Sequence, residues 1–242
     1  MIIPSPKPSK FSYEIKEILD LLYISINTQE IKYKFPRLHV NNEFNKRFSG
    51  VLDAFDDIEV SVKRLTKNIQ ESITTNSEIQ RNTLVTPDVH ERAIQAANEN
   101  KTDLKTIHVQ AKIFLDRYNA LVLFILGWTI PESCYKSIGE FNKWLADYGG
   151  SEDSVLRYKK SCERALDDIY VYITKFRNNS VVHRNEDIAL GKTEWFENDM
   201  LGSVRLVGGN HNSVSPQEVL FLTVEYIDLT TKFCLNKISP KN

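Results

Sequence analysis

From Phe44 onward, the apolar residues Phe48, Val51, Phe55, Ile58, Val62, Leu65, Ile69 and Ile73 follow one another by four and three positions almost without a fault. A repeat of about 3.6 residues puts all of these side chains on one face of an α-helix, whereas a strand alternates with a period of two. The stripe therefore predicts a long helix of heptad character that must bury this face against another helix. A second stripe, Leu104, Ile107, Ala111, Phe114, Tyr118, Leu121 and Ile125, predicts a partner. Its turn from Leu121 to Leu126 is apolar all round, which places that end at the centre of the core, and Gly127 and Pro131 stop it.

Two more helices follow from the same spacing. Val155, Tyr158, Cys162, Ala165, Ile169, Ile173 and Phe176 form one face. Val219, Leu222, Tyr226, Leu229 and Phe233 form another, opened by a capping box of Ser215, Pro216 and Glu218. Shorter helices are expected over Tyr13–Tyr23, from the Thr86 N-cap to about Asn98, and over Cys134–Tyr148 before Gly149-Gly150. Residues 1 to 10 read as an extended arm and Ile31–Pro36 as a short strand or extended linker. The polar stretch from Thr74 to Val85 breaks the first long stripe. Glu194-Trp195-Phe196-Glu197 and Ser203–Val207 could pair as a small β-hairpin closed off by Gly208-Gly209. The expected fold is all-α, an up-and-down helical bundle with long heptad-patterned helices and that hairpin as an appendage, in one domain over residues 1–242.

Composition narrows the function classes. Lys plus Arg total 31 against 32 Asp plus Glu, a formal net charge of -1, so no global basic field attracts polyanions and any nucleic-acid contact must be local. Cys134, Cys162 and Cys234 are odd in number, widely spaced and free of a CxxC pair, which predicts reduced thiols rather than a disulfide or zinc framework. The longest apolar run, Ala120–Leu126, is far short of the roughly 18 residues of a membrane span. Met1–Pro6 lacks a signal-peptide core. A cytoplasmic protein without a membrane partner is the expectation. His90 is followed by Glu91 but by no second histidine in metalloprotease spacing, and His39, His108 and His211 stand alone, so no metal site is expected. Neither GxxxxGK[ST] nor GxGxxG occurs, and no cofactor is expected.

The chemistry sits where the third stripe runs out, at Lys175-Phe176-Arg177-Asn178-Asn179-Ser180-Val181-Val182-His183-Arg184. An arginine that can stabilise a phosphate oxygen, joined to an imidazole that moves a proton near neutral pH, is the minimum equipment for metal-free RNA cleavage. Asn178 can orient the imidazole. Arg177 and His183 would point about 240 degrees apart on one unbroken helix, so a shared site requires the helix to end between them. Asn178, Asn179, Ser180 and the β-branched Val181-Val182 pair favour that break. The bland alternative is that the asparagines merely terminate the helix, Arg177 complements its negative end and His183 is a surface loop residue. A second match to this spacing, Arg205 to His211 through a glycine-rich turn, has no rigid element to aim it and is treated as a decoy.

A helical bundle in which Arg177, a following polar residue, Asn178, and His183 stand in this spacing resembles the HEPN superfamily of defence and stress proteins. The resemblance covers about residues 103–236, with a helical elaboration over 11–100. It implies a metal-independent endoribonuclease, with the site composed from both copies of the motif across a two-fold homodimer interface, in a role such as that of a toxin or phage-defence effector with an antitoxin or regulatory protein as partner. The tyrosine that some members carry two positions after the histidine is Asn185 here, which gives no support to regulation by modifying it. Arg157, Lys160 and Arg164, which share a helix face, and Arg184 could track an RNA backbone toward the site. Their alternative is a solvated face paired with Glu163 and Asp168. Against the enzyme stands a non-catalytic helical module that uses the 44–73 stripe for dimerisation or partner binding.

Overall fold

The computed structural model of the chain describes residues 10–81, 86–175, 189–192, 204–207 and 215–238, and the protein is mostly helical. Helix α1 spans Lys10–Ile26 and α2 Gln29–Lys34, followed by two 3₁₀ turns at Pro36–Leu38 and Val40–Asn42. Two long helices come next, α3 over Glu43–Arg81 and α4 over Pro87–Leu126, of 39 and 40 residues. At 1.5 Å per residue each is about 60 Å long. Short helices α5 (Glu132–Lys136) and α6 (Ile138–Ala146) lead to α7 (Asp153–Ile169), which runs on into a π-wound turn at Tyr170–Lys175. The last helix, α8, spans Pro216–Ile238.

The 44–73 stripe finds its partner within the chain. Phe44, Phe48, Val51, Phe55, Ile58, Val62, Leu65 and Ile69 are buried, and Ile73 packs against the same cluster. Burying side chains of this size stabilises by about 1.5–3 kcal/mol each. The cross-helix contacts run in opposite senses along the sequence, so α3 and α4 are antiparallel. Arg117 Nη1 donates to Gly50 O at 2.8 Å, the Phe55 and Phe114 rings are 6.1 Å apart, Arg64 pairs with Asp103, and Asn100 Nδ2 donates to Ser72 Oγ at 2.8 Å. The alternative module assigned this stripe to an external partner. In the structure the face is already covered.

Three segments differ from expectation. The helix expected to end near Asn98 and the one expected to begin at Leu104 are a single helix, α4, beginning at Pro87 after Thr86. Its polar middle is not a break, because Asp103 is buried and accepts from Arg64 Nε at 2.5 Å and Asn68 Nδ2 at 2.8 Å, while Asn100 reaches Ser72. In the same way α3 continues through the polar residues after Ile73 as far as Arg81. Ile31–Lys34 is helical rather than extended. Thr28 caps α2, its hydroxyl accepting from Ile31 N at 3.3 Å, and Ile31 is the residue of this turn that is buried. The strand Val204–Val207 pairs antiparallel with Ala189–Lys192, Ala189 facing Val207 and Lys192 facing Val204. The expected partner, 194–197, lies outside the described residues.

Helix ends follow the local chemistry. Both capping-box bonds of α8 form, with Ser215 N donating to Glu218 Oε2 at 2.7 Å and Glu218 N to Ser215 Oγ at 3.2 Å. Helix α4 ends at Gly127, whose φ of +66° is the left-handed conformation that favours glycine. Its last carbonyls are taken by side chains from two distant segments. Arg37 donates to Phe124 O at 2.7 Å and to Ile125 O at 2.6 Å, and Lys237 Nζ to Leu126 O at 3.0 Å.

His108, fully buried on α4, is held neutral by the core. Its Nδ1 lies 2.8 Å from Leu104 O, which can only accept, so Nδ1 carries the hydrogen, and desolvation lowers its pKa to about 4. The unfolded chain takes up this proton below its ordinary value of about 6.5, and the folded chain does not. Stability is therefore complete above that value and declines as pH falls toward 4. Urea unfolding between pH 7 and 5 should show a smaller decline for His108→Gln than for the native chain. Equal declines would remove this imidazole from the acid response.

Candidate functional site

Helix α7 carries the candidate chemistry toward its C-terminal end. One face, with Val155, Tyr158, Cys162, Ala165, Leu166 and Ile169, is buried, and the π-wound turn continues it with Ile173 and Thr174. Tyr158 anchors this face. Its ring stands edge-on to Trp128, Phe141 and Phe233, at centroid distances of 5.3, 5.8 and 5.2 Å, and its hydroxyl lies 3.2 Å from that of Tyr226. Tyr226 in turn donates to Asn119 Oδ1 at 3.1 Å, whose Nδ2 donates to Cys134 O at 3.2 Å. Beside this chain, Tyr118 donates to Ile227 O at 3.0 Å and lies 2.6 Å from Thr231 Oγ1. Buried hydroxyls and amides with their partners in place fix helix register and azimuth more sharply than apolar contacts alone. The helix that precedes Arg177 is thereby held on α4, α6 and α8.

Solvent meets the opposite face. Arg157, Lys160 and Arg164 are all exposed there, at helical spacings of three and four. Arg157 is bridged to Asp153 at 2.8 Å, whereas Lys160 and Arg164 form no ion pair with a described residue. Glu163 instead stands 3.8 Å from Lys159, which also donates to Ala146 O at 2.7 Å. The expected neutralisation by Glu163 and Asp168 is thus absent for all three cations among the described residues, Arg157 being paired with Asp153 instead.

Arg177, Asn178, His183 and Arg184 lie outside the described residues, which end at Lys175 and resume at Ala189. What the structure provides is the platform before them, and one part of it is not legible in the spacing: the last described turn widens from α to π at Tyr170–Lys175. Single π turns inside α-helices concentrate at functional sites.

Elsewhere the buried charged groups Asp103 and Lys112 are engaged. A groove of about 780 Å³ between α3 and α4 is lined by Arg64, Lys67, Asn68, Gln95, Glu99 and Asp103. Its buried carboxylate is saturated by Arg64 and Asn68, which leaves no buried acid for chemistry there. Lys112, almost fully buried, binds both oxygens of Asp116 at 2.5 and 2.6 Å, and Asp116 Oδ1 also accepts from Ile138 N at 2.8 Å at the start of α6. Cys134, Cys162 and Cys234 are buried free thiols. Burial pushes Cys162 up to about 12 and raises Cys234 further still, so neither is a nucleophile near neutral pH. Among the described residues no cluster of His, Cys, Asp or Glu could hold a metal ion, and no helix is long and apolar enough to cross a membrane. The chain matches no protein-family model, no curated protein and no solved structure.

Proposed function

We propose that the chain is a metal-independent endoribonuclease of HEPN type, an up-and-down helical bundle with heptad-like seams that acts as a cytoplasmic homodimer. What supports this reading is the sequence order, in which Arg177, Asn178 and His183 follow α7 and its widened turn, an element that packs on α4, α6 and α8. His183 takes the proton from a ribose 2′-hydroxyl, or returns one to the leaving oxygen. The 2′-oxygen attacks phosphorus, the bond to the 5′-oxygen breaks, and the products are a 2′,3′-cyclic phosphate and a 5′-hydroxyl end. Arg177 clamps the pentacoordinate phosphorane with paired hydrogen bonds, and Asn178 holds the imidazole. Copies of the motif from two protomers compose the site. The target is RNA, and the biological setting is that of a toxin or phage-defence effector restrained by an antitoxin or regulatory protein. Neither metal nor cofactor enters this chemistry.

Digestion of several RNAs in EDTA by the native protein and by His183→Ala tests the reading directly. Absence of any cleavage that depends on His183 would remove it.

Arg157, Lys160 and Arg164, with Arg184 beyond the turn, form the track for the RNA backbone. Support comes from the exposure of the first three and from the lack of a described carboxylate partner for Lys160 and Arg164. Serine at positions 157, 160 and 164 should flatten the dependence of log affinity on log salt by about 0.7 for each phosphate that is no longer neutralised. An unchanged slope eliminates the track.

A further inference from the structure

Two helix faces of this protein point away from its core and carry opposite charge. On α1, Ile15, Leu19, Leu22 and Ile26 are buried, and the helix packs against α8. Its opposite side holds Tyr13, Leu21 and Ile24, which are 65%, 53% and 66% exposed, with Glu17 and Asp20 between them. The Tyr13 hydroxyl donates to Glu17, and neither carboxylate forms an ion pair with a described residue, whereas Glu14 is bridged by Lys10 at 3.5 Å. Helix α7 also packs on α8. Its outward side offers Leu156, 44% exposed, followed by Lys160 and Arg164, the two cations that lack a described carboxylate partner. Large apolar side chains gathered on one exposed face mark a contact surface.

The two faces match in spacing as well as in charge. Asp20 stands four positions before Ile24, and Lys160 four after Leu156; Glu17 stands three before Asp20, and Arg164 four after Lys160. Run antiparallel with Ile24 against Leu156, α1 therefore sets Asp20 against Lys160 and Glu17 within one position of Arg164. The parallel arrangement is poorer: with Glu17 against Lys160, Ile24 falls on the carboxylate of Asp167, which would lose water without gaining a partner. One protomer cannot close this contact on itself, because its own α1 and α7 both turn their opposite faces to the core. We propose that α1 of one copy seats antiparallel on the basic face of α7 in a second copy and covers the RNA track until RNA displaces it. The acids of α1 then stand where phosphates would, so polyanion and second copy exclude each other. The seat rests on the two faces alone, and its meaning as a brake rests on the RNA-track reading.

Sedimentation of the full chain over a concentration series tests the seat with two charge-reversed variants, Glu17→Lys with Asp20→Lys, and Lys160→Glu with Arg164→Glu. Each variant alone sets like charges face to face and should raise the dissociation constant by about tenfold or more. An equimolar mixture of the two should associate again, since the reversed α1 of one meets the reversed α7 of the other. All four positions are exposed, so melting temperatures should match the native value. Native association should also weaken from about 50 mM to about 300 mM salt, a measurement that needs no variant. RNA added to the native chain should release the contact. A mass that ignores both reversals, a mixture that does not recover, or an association indifferent to salt overturns the inference. If RNA affinity collapses in Lys160→Glu with Arg164→Glu while its mass stays native, the face serves RNA alone: the seat is overturned and the track reading stands. If the mixture recovers but that variant binds RNA as the native chain does, the track reading falls and the seat stands without its brake.

Discussion

His183→Ala is expected to lower the rate of RNA cleavage in EDTA by about 10²- to 10⁴-fold, the range that a positioned general acid or base contributes. Melting temperatures of the two proteins, measured on the same samples, should agree, so that the loss reads chemistry rather than folding. The size of the decrease separates the enzyme from its bland alternative, in which an imidazole in a surface loop does nothing and its removal changes nothing. Arg177→Lys sharpens the comparison. It keeps a positive charge but gives up the planar fork that binds two phosphate oxygens at once. Turnover should therefore fall strongly while RNA affinity, set mainly by charge, stays close to native. A lysine variant that cleaves as fast as the native chain would show that no guanidinium clamp operates. The 3′ ends should be 2′,3′-cyclic phosphates. Products with 3′-hydroxyl ends would point to a different chemistry even if His183 proved essential.

The largest expected effect on stability comes from Asp116→Ala. Lys112 has 6% of its side chain exposed and its ammonium rests on both oxygens of Asp116. Removing the carboxylate leaves a buried cation unpaired and takes the acceptor from Ile138 N at the start of α6. Breaking a buried pair from one side costs about 3–5 kcal/mol, far more than its net contribution when intact. Urea denaturation of the variant should show a destabilisation of that order. Asp116→Asn keeps an acceptor for Ile138 and should be less damaging. Adding Lys112→Met to the asparagine variant should recover much of the remainder, because no charge is then left in the core. A destabilisation below about 1 kcal/mol for the alanine variant would mean that the ammonium reaches water more readily than its position indicates.

The long helices were legible because periodicity records burial on one face, and the 44–73 stripe is buried as spacing requires. What spacing does not record is a polar residue buried by a partner. Asp103 and Asn100 looked like an interruption, since charged and amide residues between apolar stripes usually face water. Their burial depends on Arg64, Asn68 and Ser72, which lie well upstream in α3 and carry no local signal. The same blindness hid Lys112. Ile31–Lys34 misled for another reason: six residues show too little of either period, and the cap from Thr28 decided the outcome. At the candidate site, the two faces of α7 were readable from the positions of Val155, Tyr158, Cys162 and of Arg157, Lys160, Arg164. The π turn was not. Ile169 and Ile173 keep the usual spacing of four, so the apolar pattern is the same whether the backbone bonds reach four residues back or five.

Arg37 and Lys237 come from opposite extremities of the described chain and grip consecutive carbonyls at the end of α4. The polypeptide is thus closed on itself by a noncovalent clasp. Slack introduced in the first helices is transmitted to the last, and neither can peel away without baring peptide oxygens at this one helix end.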